Sequence, residues 1–375
     1  MKRTSDQLMV GRSCDVRMDL TSATWMVRSL GEPVSCVHTT SDRTVFAGGW
    51  NGRVACWVGE GSSLWTVQTE DRISAFAIND DLVVVTSGLH LVALDRATGE
   101  ERWRHALEGS ADTVVWQDDS LLAVSSVYDI EHNDFIESAV WCCTTEGELR
   151  WVERLDERPW SVLVTAEGVF AGLGRPRCGH LVLSSPPFTH VLPPTDSPTT
   201  CGSAAHGRAY FGQTDGTVRS LDGTVLSTES ASVEHLTCMV KGYVATTDTG
   251  HAVGRTDEGI ECWSAKGESV TCQMEAFVDG DVAMVWLARK DGQRGLLEVW
   301  RSDRSGRLAH ASLGRVHSMH HRTDRAVVGC EDGEVLVWDQ SLLNRRLEHA
   351  PSTNDEPEDE RASALQAKLR ALRQA

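Results

Sequence analysis

One pattern constrains this chain more than any other: a short apolar run, a turn, a second apolar run, a glycine-bearing turn and a third run, recurring eight times. Units begin near Val34, Ile73, Asp112, Trp160, Thr200, Val233, Ala276 and Val316, at spacings of 33 to 48 residues. A period near ~40 residues is that of a four-stranded propeller blade. The second unit shows the order best. ISAFAIN alternates like an inner strand, LVVVTS is continuously apolar as a strand covered on both faces must be, and LVALD and ERWRHAL follow after turns. Asp215-Gly216 and Asp332-Gly333 sit between apolar runs, where Gly accepts the positive φ of a tight hairpin. Helical solenoids share such periods, but residues 30–347 show almost no 3.6-residue rhythm, and a two-sheet sandwich does not need eight near-equal units.

The fold expected is all-β: an eight-bladed β-propeller of four-stranded antiparallel sheets with a short C-terminal helix. Seven blades is the alternative, if the short fifth unit merges with a neighbour. Residues 23–30, ATWMVRSL, resemble the outer-strand runs LWTVQT and LRWVERL and are expected to close the last blade. The run LLNRRL (342–347) is the other candidate for that strand. The division expected is a loose N-terminus over 1–20, the propeller over 21–347, an acidic linker over 348–360 and an amphipathic helix over 361–375. In the last segment Leu365, Leu369 and Leu372 form one stripe.

The run from Ala93 to Trp103 reads A-x-D-x-x-T-G-x-x-x-W, with weaker copies ending at Trp65 and Trp151. It resembles the tryptophan-docking motif of PQQ-like, quinoprotein-type propeller repeats, while EDGEVLVWD, ending at Trp338-Asp339, is similar to a WD-repeat. The resemblance implies that Trp65, Trp103 and Trp151 pack between adjacent blades. The use of 13 Trp against 3 Tyr and 7 Phe fits a wedge repeated blade after blade. Many activities share such propellers, so the fold leaves function open. Quinoprotein dehydrogenases of this repeat type use adjacent cysteines beside PQQ, which draws attention to Cys142-Cys143. Adjacent strand residues point to opposite faces, however, and no export signal or calcium-binding acidic set is recognised. Outer-membrane assembly lipoproteins also use this repeat, but no signal or lipid-attachment Cys is recognised here.

A net charge of −18, from 54 acidic against 36 Lys and Arg, argues against nucleic-acid binding and against adhesion to anionic membranes. The 11 cysteines include no C-x-x-C pair, and Cys36, Cys56, Cys238, Cys262, Cys272 and Cys330 fall singly in strand-like runs. They read as buried thiols in a reducing cytoplasm. In VHSMHH, His317 and His321 share a face by strand period and read as channel lining. The insertion SSVYDIEHNDFIE carries Asp129, Glu131, Asn133, Asp134 and Glu137 but lacks the Gly and twelfth-position Glu of a calcium loop. No catalytic residue, metal or cofactor is assigned.

Functional residues concentrate on loops held by rigid scaffolds. The long second-to-third loops are 126–137, with Tyr128, Asp129, Glu131, Asp134 and Phe135, and 173–179, with Arg175 and Arg177. They belong to neighbouring blades 3 and 4. The expectation is a scaffold that is not an enzyme and presents this patch to a protein or peptide, with a second contact through Leu365, Leu369 and Leu372. The runner-up is a PQQ-type oxidoreductase with its cofactor in the channel. For Arg175 and Arg177, pairing with neighbouring acids is the simpler reading.

Overall fold

In the computed structural model, residues 18–131, 133–192, 196–303 and 306–350 are described. Eight four-stranded antiparallel sheets form an eight-bladed propeller. Blades 1 to 7 occupy residues 34–68, 73–106, 110–155, 159–191, 199–228, 233–265 and 270–313 in order along the chain. Blade 8 takes its inner three strands from 316–339 and its outer strand from Thr24–Ser29, which runs antiparallel to Glu334–Asp339. The N-terminal segment therefore closes the ring, and LLNRRL does not. Its residues lie in helix α1, Gln340–Glu348, whose start is fixed by the Asp339 side chain accepting from the Leu342 N–H at 3.2 Å. The helix expected over 361–375 and the linker from 351 onward lie outside the described residues.

The apolar runs are explained by the spaces between blades. Within LVVVTS, Val83 and Val85 join the core shared with blade 1, while Val84 joins the core shared with blade 3. Successive side chains point to opposite faces of a strand, so a strand inside a stack of sheets is apolar at every position. Gly333 shows why glycine holds the turns: its φ is +88°, and a Cβ there would lie 2.8 Å from the Glu32 carbonyl oxygen.

Two boundaries move. The inner strand of blade 7 starts at Val270, not at Ala276. It runs to Asp279 through two register shifts, and Phe277, inside it, has φ +70°. Residues 18–20, expected to be loose, are built in: Met18–Asp19 adds a parallel fifth strand to blade 7, and Leu20 is wholly buried. No helix among the described residues is long and apolar enough to cross a membrane.

Candidate functional site

Every inner strand shifts register near its first residues. Such a bulge re-aims one side chain. In blade 4 the shift lies between Pro159 and Ser161, so the re-aimed residue is Trp160, which is 48% exposed.

Beside it stands the insertion of blade 3. The expected loop over 126–137 is instead a continuation of the hairpin. The inner strand of the blade pairs only as far as Ser110–Ser126 and the outer only as far as Leu155–Ser138. The middle pair goes on through Val127–Glu137, Tyr128–Phe135 and Asp129–Asp134. The reason is local: aromatic and β-branched residues alternate with acids there, which suits a two-stranded ladder. The result is a finger of two strands with no described strand on either edge.

The finger leans on blade 4 through aromatic contacts. Phe135 meets Tyr128 edge-on at 5.1 Å between centroids and Trp160 at 5.8 Å and 85°. The Arg158 guanidinium lies 3.7 Å from the Phe135 ring centroid and 4.3 Å from that of Trp160, and it donates to Asp112 at 3.1 Å. The Tyr128 hydroxyl donates to Asn133 Oδ1 at 2.6 Å and braces the tip. Outside this braced base, Tyr128, Ile130 and Ile136 remain exposed, Ile130 at 86%.

The acids and arginines sort differently from expectation. Arg177 pairs with Glu157, a wholly buried carboxylate in the connection entering blade 4, and not with the finger. That guanidinium holds the Glu157 carboxyl below its ordinary value despite burial. Arg175 is exposed, as are Glu131 and Asp134 at the tip, while the Asp129 side chain accepts from the Glu131 N–H. Leu365, Leu369 and Leu372 lie outside the described residues. Arg158 and Trp160 complete the site and were not singled out from sequence. The signal was available: aligned on the bulge, Trp160 stands where other blades carry Ser35, Asp112 and Thr200.

The three motif tryptophans sit between blades. Trp65 donates from Nε1 to the Arg96 carbonyl at 2.9 Å and lies against Gly99 of the next blade, and Trp103 donates to the Thr145 carbonyl at 2.8 Å against Gly147. Trp151 meets Phe188 instead, edge-on at 5.6 Å.

Other candidates disperse. Cys142 packs in the core between blades 3 and 4 and Cys143 in the core between blades 2 and 3, and burial pushes the Cys143 thiol up to about 11. Neither stands beside the channel as a cofactor-flanking pair would. His317 lies edge-on to Trp50 at 5.8 Å, His320 stacks on His38 at 3.9 Å, and His321 meets Phe277 at 5.3 Å. No group of three or more His, Cys, Asp or Glu among the described residues is placed to hold a metal. Cys262, expected to be buried, is exposed on the outer strand of blade 6, Glu261–Ala265, in which Trp263 is the buried residue.

Comparison with known proteins gives one family match: residues 17–170 match the model described as outer membrane protein assembly factor BamB, of the PQQ-like repeat. No curated protein is significantly similar in sequence. Among solved structures, BamB from Moraxella catarrhalis superposes with a TM-score of 0.67 at 18% identity, covering 84% of this chain and 99% of that one. Sqt1 from Saccharomyces cerevisiae gives 0.67 at 10% identity, over 84% and 98%. The WD40 propeller domain of Doa1 gives 0.53 at 11% identity, over 85% and 97%. At these identities the likeness is one of fold: this chain is an eight-bladed β-propeller, and its residues 17–170 match a PQQ-like repeat model.

Proposed function

We propose that this propeller is a protein-interaction scaffold, not an enzyme, and that the finger of blade 3 with Trp160 of blade 4 is its contact surface. The carrying observation is the finger itself. Its base is fixed by Phe135, Trp160 and Arg158, and its tip holds Tyr128, Ile130 and Ile136 exposed beside Asp129, Glu131, Asp134 and Glu137. Aromatic anchors on a rigid support bind at low entropic cost. Open strand edges accept an added strand from an extended segment. The surrounding acids favour a partner segment in which apolar residues alternate with basic ones. The assembly-factor description of the matching family supports a role in holding other proteins. The charge of −18 supports a partner that is neither nucleic acid nor membrane, and ten described cysteines with free thiols support a reducing, cytoplasmic setting.

The test uses the full chain as bait in native lysate, followed by reconstitution with the purified captured protein. Tyr128→Ser with Trp160→Ser is expected to weaken that complex at least about 10-fold while leaving the thermal midpoint within a few degrees. A complex unchanged by the double substitution overturns the assignment of the surface.

A further inference from the structure

On the opposite side of the molecule the closing strand leaves a groove. Between blades 7 and 8, Thr24–Ser29 borders a cavity of about 590 Å³ on the rim. Trp25, Met26 and Val27 of that strand line it, with Leu313 and Leu336 from the two blades and Leu342 from α1. Its margin carries three carboxylates, Glu60, Asp332 and Glu334. Two arginines also lie there and keep their charge while donating to backbone: Arg28 to the Gly61 and Val27 carbonyls, Arg294 to those of Ser312 and Leu313. Burial, with Asp332 alongside, pushes the Glu334 carboxyl above its ordinary value against the pull of Arg294, and the lining carries one more acid than arginine.

The sequence past Ala350 complements it. Residues 351–360 are acidic, and 361–375 have the composition and spacing of an amphipathic helix with Leu365, Leu369 and Leu372 on one stripe. That segment also carries Arg361, Lys368, Arg370 and Arg373 and no acid. Leu342, which lines the groove, and Ala350, where the described chain stops, are separated by α1, about 12 Å at the helical rise. A tether of ten residues reaches up to ~33 Å, so it spans that distance with slack.

We propose that residues 361–375 dock as a helix in this groove, with the leucine stripe on its apolar floor and the basic residues against Glu60, Asp332 and Glu334. The inference does not depend on the finger. A helix of this length is marginal alone in water. A short tether, however, presents it at an effective concentration in the ~mM range, so weak intrinsic affinity is enough. The charged part of the contact weakens with salt, as exposed pairs do.

The experiment is done on the full chain. A benzoylphenylalanine photo-crosslinker replacing Leu369 is expected to give monomers cross-linked to peptides that carry Val27, Leu313 or Leu342. Cross-links only between two copies, to residues 1–17, to other blades, or none at all overturn the proposal. Trypsin provides a second readout. Cleavage after Lys368 and Arg370 is expected to be about 10-fold faster in a Leu365→Asp, Leu369→Asp double variant than in the native chain, and faster again at 1 M salt, with the rest of the digest unchanged. Equal rates in the native and variant chains overturn it as well. The double variant leaves the propeller untouched, so that readout stands even where groove substitutions such as Leu342→Glu disturb folding.

Discussion

His38 and His320 come from blades 1 and 8 and stack across the closure of the ring, with the Thr39 N–H donating to His320 Nδ1 at 3.1 Å. Burial, reinforced by Arg322 and Arg96, lowers the His38 pKa to about 4. Burial, with His38, His321 and Arg322 nearby, lowers that of His320 well below its usual value. Both rings are therefore neutral in the fold, and the unfolded chain takes up protons first. Their contribution is complete above pH 6.5 and is lost as pH falls towards 4, on the order of 3 kcal/mol for His38 alone. Urea midpoints measured from pH 7.5 to 4 are expected to drop through that window, and His38→Phe is expected to flatten the drop. At the docking motif, Gly99 has φ +77°, and a Cβ would lie 2.7 Å from Trp65 Cδ2. Gly99→Ala is expected to cost about 2–3 kcal/mol by denaturant titration. The motif glycine was legible in the sequence because one residue type answers one backbone demand. The histidine stack was not, because its members are 282 positions apart and share no pattern.

At the scale of strands and hairpins, most boundaries could be read because many hairpins turn at Gly or Asp-Gly and middle strands such as Leu82–Ser87 are mostly apolar. The finger misled for a physical reason. Beyond the blade a two-stranded ladder has exposed edges, so its acids and single aromatics resemble a loop in composition while the backbone stays paired. The Arg177 partner was equally hidden, since Glu157 lies in an inter-blade connection that no repeat marks. Replacing residues 128–136 by Asn-Gly would close the hairpin at the Val127–Glu137 pair. That variant is expected to keep the native melting temperature within about 3 °C in calorimetry and to abolish the finger-dependent complex. A second element-scale outcome concerns blade 7. Buried Glu298 joins Arg289 at 2.9 Å to Arg307 at 2.7 Å, and Arg289 also donates to the Gly250 and Glu268 carbonyls of the blade 6 side. Glu298→Gln leaves Arg289 buried without its counter-charge. Equilibrium unfolding is expected to show a loss of about 3–5 kcal/mol.

For the molecule as a whole, closure is the decisive interaction. Met26 of the closing strand is 6% exposed in the core shared by blades 8 and 1, and Trp338 donates to the Leu20 carbonyl at 3.0 Å, 318 positions away. Met26→Asp puts an unpaired charge in that core, and a loss of at least about 3 kcal/mol in urea stability is expected, with increased self-association as blade 8 loses its cover. The ring also dictates an order of events in synthesis. On a ribosome, residues 24–29 emerge about 300 residues before residues 334–339, the strand they pair with. Until that strand is made the short segment has nowhere to go, and whatever shields it in the meantime shares in producing a finished wheel.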